Sequence, residues 1–524
     1  MNPDDARLRP LPRFIYIVVT VASFSNFCAF YALGLITAAL LYIPYSFALN
    51  WITTSAIVTG TLIGGMIGAL GAGPVADKIG RRPCHLIGSS LLLFGGIIFT
   101  FAPSLWVIIA GRFVSGVGIG IITNLANLII VEMAPAEKRG SLSTIPYFFQ
   151  FIGTMTPFLV GYLIVLVLPK DSIQLAWRLM AASGVIVSLV DATAAFALLP
   201  ESPRWLLFHS KTLEGLALME KIYGRDNHDR LVQDYREIIA VPQGGNKSNA
   251  TWWEILTVEK YRRPVLVGVT LQIIRKLSGN AAVTFYLTLI LVESAGLKKS
   301  TALLVSLLIY IPDFLVVFGV FRLLDRLGRK LLLFLSCSGL VFAILPMAII
   351  LTVEGPASGS MTLEEHKEFI LNYLQGVQVQ NYLGDSDGSR ENMIRYIIIA
   401  SLFLQRCFYS FGLGPVPSIH TAETLPQAIR AKGLGLALFF SWTAAALTTI
   451  AFPWALIYLP SGSAYWFFFV VGVIGCPFIF FAIRETANMS IDPVSVVIYK
   501  PEPKQPKPKF SLEEDGNIFE EISL

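Results

Sequence analysis

Long apolar runs separated by short charged turns dominate this chain. Twelve of them are long enough to cross a hydrocarbon layer ~30 Å thick. They fall at about 14–43, 53–76, 84–102, 106–131, 144–168, 177–199, 264–292, 300–321, 331–352, 395–419, 433–459 and 464–483. Runs this long and this apolar predict membrane-spanning helices. The first, seventh and eleventh are longer than the layer needs, so they are expected to tilt or break.

The turns carry an internal repeat. Gly73 to Arg82 reads G-P-V-A-D-K-I-G-R-R, and Asp325 to Lys330 reads D-R-L-G-R-K, each between two apolar runs. A second pair follows: Glu132, Pro135, Arg139 and Gly140, then Glu423, Pro426, Arg430 and Gly433. Asp77 and Glu132 are 55 positions apart; Asp325 and Glu423 are 98 apart. The excess of 43 is close to the length of one polar insert at Val353 to Ile394. Without the insert the halves align, so the chain is a duplicated membrane unit.

Composition narrows the class. Hydrophobic residues make up 54% of the chain and charged residues 14%, where soluble domains carry roughly 25% charge. The net charge of +5 is modest. Its basic residues sit at span ends, which argues for membrane orientation over nucleic-acid binding. Lys78, Arg81, Arg82, Lys138, Arg139, Arg326, Arg329, Lys330, Arg430 and Lys432 lie in loops after even-numbered spans. These loops and both termini are therefore expected in the cytoplasm. The first run is too long for a cleaved signal peptide. Cys28, Cys84, Cys337, Cys407 and Cys476 lie in or beside apolar runs without metal spacing and read as packing residues.

The organisation that follows is a first six-span unit at 1–199 and a cytoplasmic linker at 200–263. A second six-span unit spans 264–483 with an extracellular insert at 353–394, and a disordered tail covers 484–524. Two asparagine sequons, at Asn246 and Asn249, fall in the linker, where this topology hides them from glycosylation. The five histidines are scattered and no nucleophile–base pair appears, so enzymatic chemistry is not expected. No cofactor is expected either; the expected partners are a small solute and the bilayer, with the chain monomeric.

The charged turns carry the mechanism. Charge at a membrane edge is costly unless paired. Asp77 is placed to accept from the N-terminus of a neighbouring helix. Arg81 and Arg139 can fork onto Glu132, and Arg329 and Arg430 onto Glu423. Such pairs are expected to lock the cytoplasmic faces together in one state and part in another. Arg112 and Asp325 join this gate.

Taken in order, these motifs resemble the sugar porter family of the major facilitator superfamily. The match includes G-R-F-V-S-G-V-G-I-G at Gly111–Gly120, P-E-S-P-R-W-L at Pro200–Leu206, G-P-V-P at Gly414–Pro417 and R-E-T at Arg484–Thr486. P-E-S-P-R also occurs in organic-ion transporters of the same superfamily. The resemblance implies an all-α protein with twelve transmembrane helices in two pseudo-symmetric six-helix bundles. A central site between them would open alternately to each side. It adds Glu201, Arg204 and Glu485 to the cytoplasmic gate.

The family's sugar-contacting positions are mostly altered here. Where members carry Q-Q-L-S-G-I-N in span 7, this chain has Arg275-Lys276-Leu277-Ser278-Gly279-Asn280-Ala281. The family glutamine in span 5 falls on Tyr147, and the tryptophan after Gly-Pro-x-Pro on Ser418. Trp442 is kept between Ser441 and Ala445. Candidate substrate contacts are Tyr147, Thr154, Gln272, Arg275, Lys276, Asn280, Arg406, Ser418 and Trp442. The span 1 aspartate of many proton-coupled members falls on Ala32, which favours uniport; Asp191 and Asp313 remain candidate coupling groups. The expected activity is passage of a sugar or polyol across the plasma membrane. Arg275, Lys276 and Arg406 keep an organic anion as the alternative, unless Asp313 neutralises one of them. A non-transporting solute sensor is the third reading.

Overall fold

The structure, a computed structural model, describes residues 12–135, 142, 144–224, 231–232, 235–236, 252–355, 388–426 and 429–485. The first half comprises α1 (Arg13–Ala39), α2 (Trp51–Ile79), α3 (Arg81–Thr100), α4 (Leu105–Met133), α5 (Ile145–Val167) and α6 (Ala176–Leu198). Three shorter helices follow: α7 (Pro203–Phe208), α8 (Thr212–Tyr223) and α9 (Trp252–Thr257). The second half comprises α10 (Glu259–Leu277), α11 (Asn280–Glu293), α12 (Lys299–Leu327), α13 (Arg329–Val353), α14 (Gly388–Phe411), α15 (Val416–Thr424), α16 (Arg430–Tyr458) and α17 (Ser463–Ala482).

Among the described residues, eleven helices are long and apolar enough to cross a membrane. The twelfth crossing is α10 with α11, which misses that count because it is broken and carries charge. Gly279 sits between them at φ +87°, a left-handed conformation that disfavours any side chain. The expected break in the seventh span is therefore found. The first and eleventh spans run as single helices, Arg13–Ala39 and Arg430–Tyr458. The tenth span is longer than expected and divides at Gly412–Pro415 into α14 and α15.

Helix contacts follow a twofold rule. Within the halves, α2 packs on α4 as α12 packs on α14, and α1 packs on α5 as α10 packs on α16. Between the halves, α2 meets α16, its counterpart α12 meets α5, and α1 meets α11. The duplication read from the turns is thus a duplication of packing.

Small residues allow a close approach of α2 and α4. A Cβ at Gly64 would collide with the Phe113 carbonyl oxygen, and one at Gly116 with that of Thr61. Without a strong hydrophobic force between helices in lipid, backbone approach of this kind supplies the van der Waals contact. The start of α2 is set by a capping box. The Thr53 N–H donates to the Asn50 side chain at 2.9 Å, and the Asn50 N–H donates to Thr53 Oγ1 at 2.9 Å.

The alternating direction of the helices defines two faces. One, here the basic face, carries Lys78, Arg81, Arg329 and the ends of α4 and α17. Most of the hydrogen bonds that join the halves, among the described residues, lie toward the opposite face. Thr288 Oγ1 donates to the Thr37 carbonyl at 2.6 Å, and Ser55 Oγ to that of Ile450 at 3.3 Å. Thr59 and Thr449 share a hydroxyl contact at 3.1 Å, and Lys299 Nζ donates to the Leu41 carbonyl at 3.1 Å.

Candidate functional site

The basic face holds two matching ionic clusters. In the first half, Arg81 forks onto Glu132: Nε to Oε2 at 3.1 Å and Nη2 to Oε1 at 3.1 Å. In the second half, Arg329 Nη2 reaches Glu423 Oε1 at 3.0 Å. Each arginine opens its helix right after a left-handed glycine, Gly80 at φ +106° or Gly328 at φ +82°. A further glutamate covers each helix start. Glu201 Oε1 accepts from the Arg81 N–H at 2.7 Å and its Oε2 from the Arg82 N–H at 3.2 Å. Glu485 accepts from the N–H groups of Arg329 at 2.8 Å and Lys330 at 3.0 Å. Unpaired N–H groups and the helix dipole both favour a carboxylate there.

Three expectations change. Asp77 does not cover a helix start: its side chain is 74% exposed and pairs with Arg81 one turn away at 3.0 Å. Glu201 has that role. The clusters do not tie one half to the other, because both members of each recorded pair belong to one half. They lash α3 to α4, and α13 to α15. Arg112 is not part of this face at all. It lies on α4 near the end opposite Glu132, buried, with its guanidinium over the Phe99 ring and Nη1 donating to the Ala32 carbonyl at 2.9 Å. Twenty helical residues separate Arg112 from Glu132, roughly 30 Å of axis. Arg204 makes no hydrogen bond or ion pair among the described residues. Arg139 and the side chains of Asp325 and Arg430 lie outside the described residues.

Between the halves is a cavity of about 290 Å³, at the lower end of small-molecule sites, which run ~300–1,000 Å³. All nine candidate substrate contacts line it: Tyr147, Thr154, Gln272, Arg275, Lys276, Asn280, Arg406, Ser418 and Trp442. They come from both halves. Tyr147 and Thr154 are two turns apart on α5; Trp442 on α16 rests against Gly65 of α2, where a Cβ would lie 3.4 Å from its ring. Sequence reasoning missed Asn26, Asn127, Gln150 and Tyr409, which also line the cavity. Gln150 was accessible to it: it lies between Tyr147 and Thr154 at helical spacing and so shares their face.

The break at Gly279 places Arg275 and Lys276 in the last turn of α10, where the helix dipole favours cations. Arg275 is held by neutral groups. Its Nε donates to Tyr409 OH at 3.1 Å and its Nη1 to Gln272 Oε1 at 3.2 Å. Gln272 in turn donates to Ser418 Oγ at 3.1 Å. Arg406 is buried between the Tyr310 and Tyr409 rings, 4.3 and 5.4 Å from their centroids. Its Nη1 donates to Asn280 Oδ1 at 2.8 Å, and its Nη2 pairs with Asp313, which also accepts from Ser410. Asp313 therefore neutralises Arg406, not the cations on α10.

Asp191 lies elsewhere, fully buried inside the first half. Ser25 and Ser89 donate to its two oxygens at 2.6 and 2.7 Å, and His85 Nε2 contacts Ser25 Oγ at 2.9 Å. This three-helix network does not line the cavity. His420 is packed against the Arg484 carbonyl at 3.1 Å.

Comparison with known proteins agrees with this architecture. The family model described as "Sugar (and other) transporter" matches residues 18–497. Plastidic glucose transporter 4 of Arabidopsis thaliana is 27% identical over 470 residues, covering 89% of this chain and 77% of its own. Probable polyol transporter 6 of the same plant is 26% identical over 503 residues, covering 93% and 95%. Among solved structures, the inward-open xylose transporter XylE from E. coli superposes with a TM-score of 0.71 at 19% identity, over 92% of this chain and 99% of that one.

Proposed function

Because this chain belongs to the sugar (and other) transporter family, we propose that its cavity carries a monosaccharide-sized, hydroxylated solute across a membrane by alternating access. One observation carries the reading. A cavity that takes polar groups from both halves lies between two pseudo-symmetric halves, and most hydrogen bonds joining those halves among the described residues lie toward one face. Parting those contacts while the basic faces approach would expose the same cavity to the other side. The named relatives, a glucose and a polyol transporter, support a hydroxylated cargo.

Uniport is the mode this site favours. XylE is described as a proton:xylose symporter, yet here Ala32 offers Arg112 only its backbone carbonyl. The basic loops support a cytoplasmic basic face with both termini on that side, and we take the chain as a monomer of the plasma membrane. Purified protein in liposomes, tested against labelled neutral and acidic monosaccharides and polyols, is expected to give saturable flux for at least one. That flux should be equal with and without a proton gradient. Absence of flux across the panel overturns transport; stimulation by the gradient overturns uniport alone.

A further inference from the structure

The charge of the cavity lining is unbalanced. Among the described residues three cations line it, Arg275, Lys276 and Arg406, and no aspartate or glutamate does. Arg406 has its counter-charge in Asp313 behind the wall. Arg275 is held through its Nε and Nη1 by a phenol, an amide and a hydroxyl, none of which carries a charge. Lys276 makes no hydrogen bond or ion pair among the described residues, and Arg275 and Arg406 both repel it. Two adjacent cations without a carboxylate, in a cavity walled by protein, are costly. A bound anion removes that cost and gains from charge-assisted hydrogen bonds.

The rest of the lining is of another kind. The first half presents Asn26, Asn127, Tyr147, Gln150 and Thr154, neutral groups that donate and accept. The cavity is thus two-sided, with neutral hydrogen-bonding groups in one half and uncompensated cations in the other. Its volume of about 290 Å³ limits the solute to about a single ring.

We propose that the solute is an anionic monosaccharide. Its carboxylate or phosphate lies on Lys276 and Arg275, and its hydroxyls face the amides and hydroxyls of the first half. This rests on the transport reading and names the class of cargo within it.

Competition binding to purified, monodisperse protein tests the proposal, with D-glucuronate, D-gluconate and glucose 6-phosphate set against D-glucose and myo-inositol. At least one acidic probe is expected to bind ten-fold or more tightly than D-glucose. A preference for the two carboxylates or for the phosphate identifies the anionic group. Lys276→Gln is expected to cut that preference at least ten-fold, while Lys276→Arg, which keeps the charge, retains most of it. Arg275→Gln should act in the same direction as Lys276→Gln. D-glucose or myo-inositol binding as well as every acidic probe would overturn the anion while leaving transport standing. So would an unchanged preference in Lys276→Gln. No flux of any probe in liposomes would instead remove the transport reading, and this proposal with it.

Discussion

Glu201 and Glu485 occupy the same position in the two halves of the molecule. Each places its carboxylate on the first two N–H groups of the third membrane span of its half, α3 or α13, beside a left-handed glycine. A Cβ at Gly80 would strike Glu201, and one at Gly328 would strike Glu485. Glycine is required twice over, for its φ and for the room it leaves.

Glu201→Gln and Glu485→Gln should therefore destabilise to a similar extent, by about 1–2 kcal/mol each, from loss of a partly buried carboxylate at a helix start. Thermal unfolding in detergent measures this. Gly80→Ala and Gly328→Ala should each lower the midpoint as well. A large loss in one half and none in the other would contradict the equivalence.

The α2–α4 contact gives a paired test. Gly116→Ala puts a methyl group onto the Thr61 carbonyl, whereas a Cβ at Gly71 meets nothing within 4 Å. The first substitution should abolish a monodisperse peak in size-exclusion chromatography, or lower the melting temperature sharply. Gly71→Ala should leave both unchanged.

Closure on the face opposite the basic clusters can be trapped chemically. Thr59 and Thr449 touch across the halves through their hydroxyls at 3.1 Å. Cysteines at both positions should cross-link under mild oxidation, abolish uptake, and recover it on reduction. Cross-linking without loss of uptake would show that this contact need not part during transport.

The pair of Asp313 and Arg406 should show strong coupling. Asp313→Asn leaves the buried guanidinium without its counter-charge, a change expected to cost about 3–5 kcal/mol. The double variant Asp313→Asn with Arg406→Gln should recover part of that stability, because neither charge then remains buried alone. Denaturation of the single and double variants supplies the cycle. Additive losses would mean that the two side chains do not act as a pair.

Much of the fold was legible because its signals are local. Spans show as apolar runs, and the duplication shows in the spacing of Asp77 to Glu132 and Asp325 to Glu423. The cavity residues were legible through motifs that fall on single helix faces, such as Gln272 with Arg275 and Lys276. What was not legible is contact between distant positions. Nothing near Arg81 announces that Glu201, 120 residues away, will accept its backbone N–H. Ser25, Ser89 and Asp191 meet from three helices, and no spacing connects them. Arg112 was misplaced for a related reason. A charge in an apolar run says that it needs shelter, but only the direction of α4 says at which face it lies.

The unbalanced lining of the cavity has an electrical consequence. When the empty cavity turns from one face to the other, its surplus positive charge crosses part of the membrane field. A full crossing is worth about 2.3 kcal/mol per charge per 100 mV. Voltage that is negative on the basic face therefore draws the unloaded carrier toward that side, and a bound anion weakens the pull. Current and cargo are then linked through the state of one cavity, even where no ion travels with the solute.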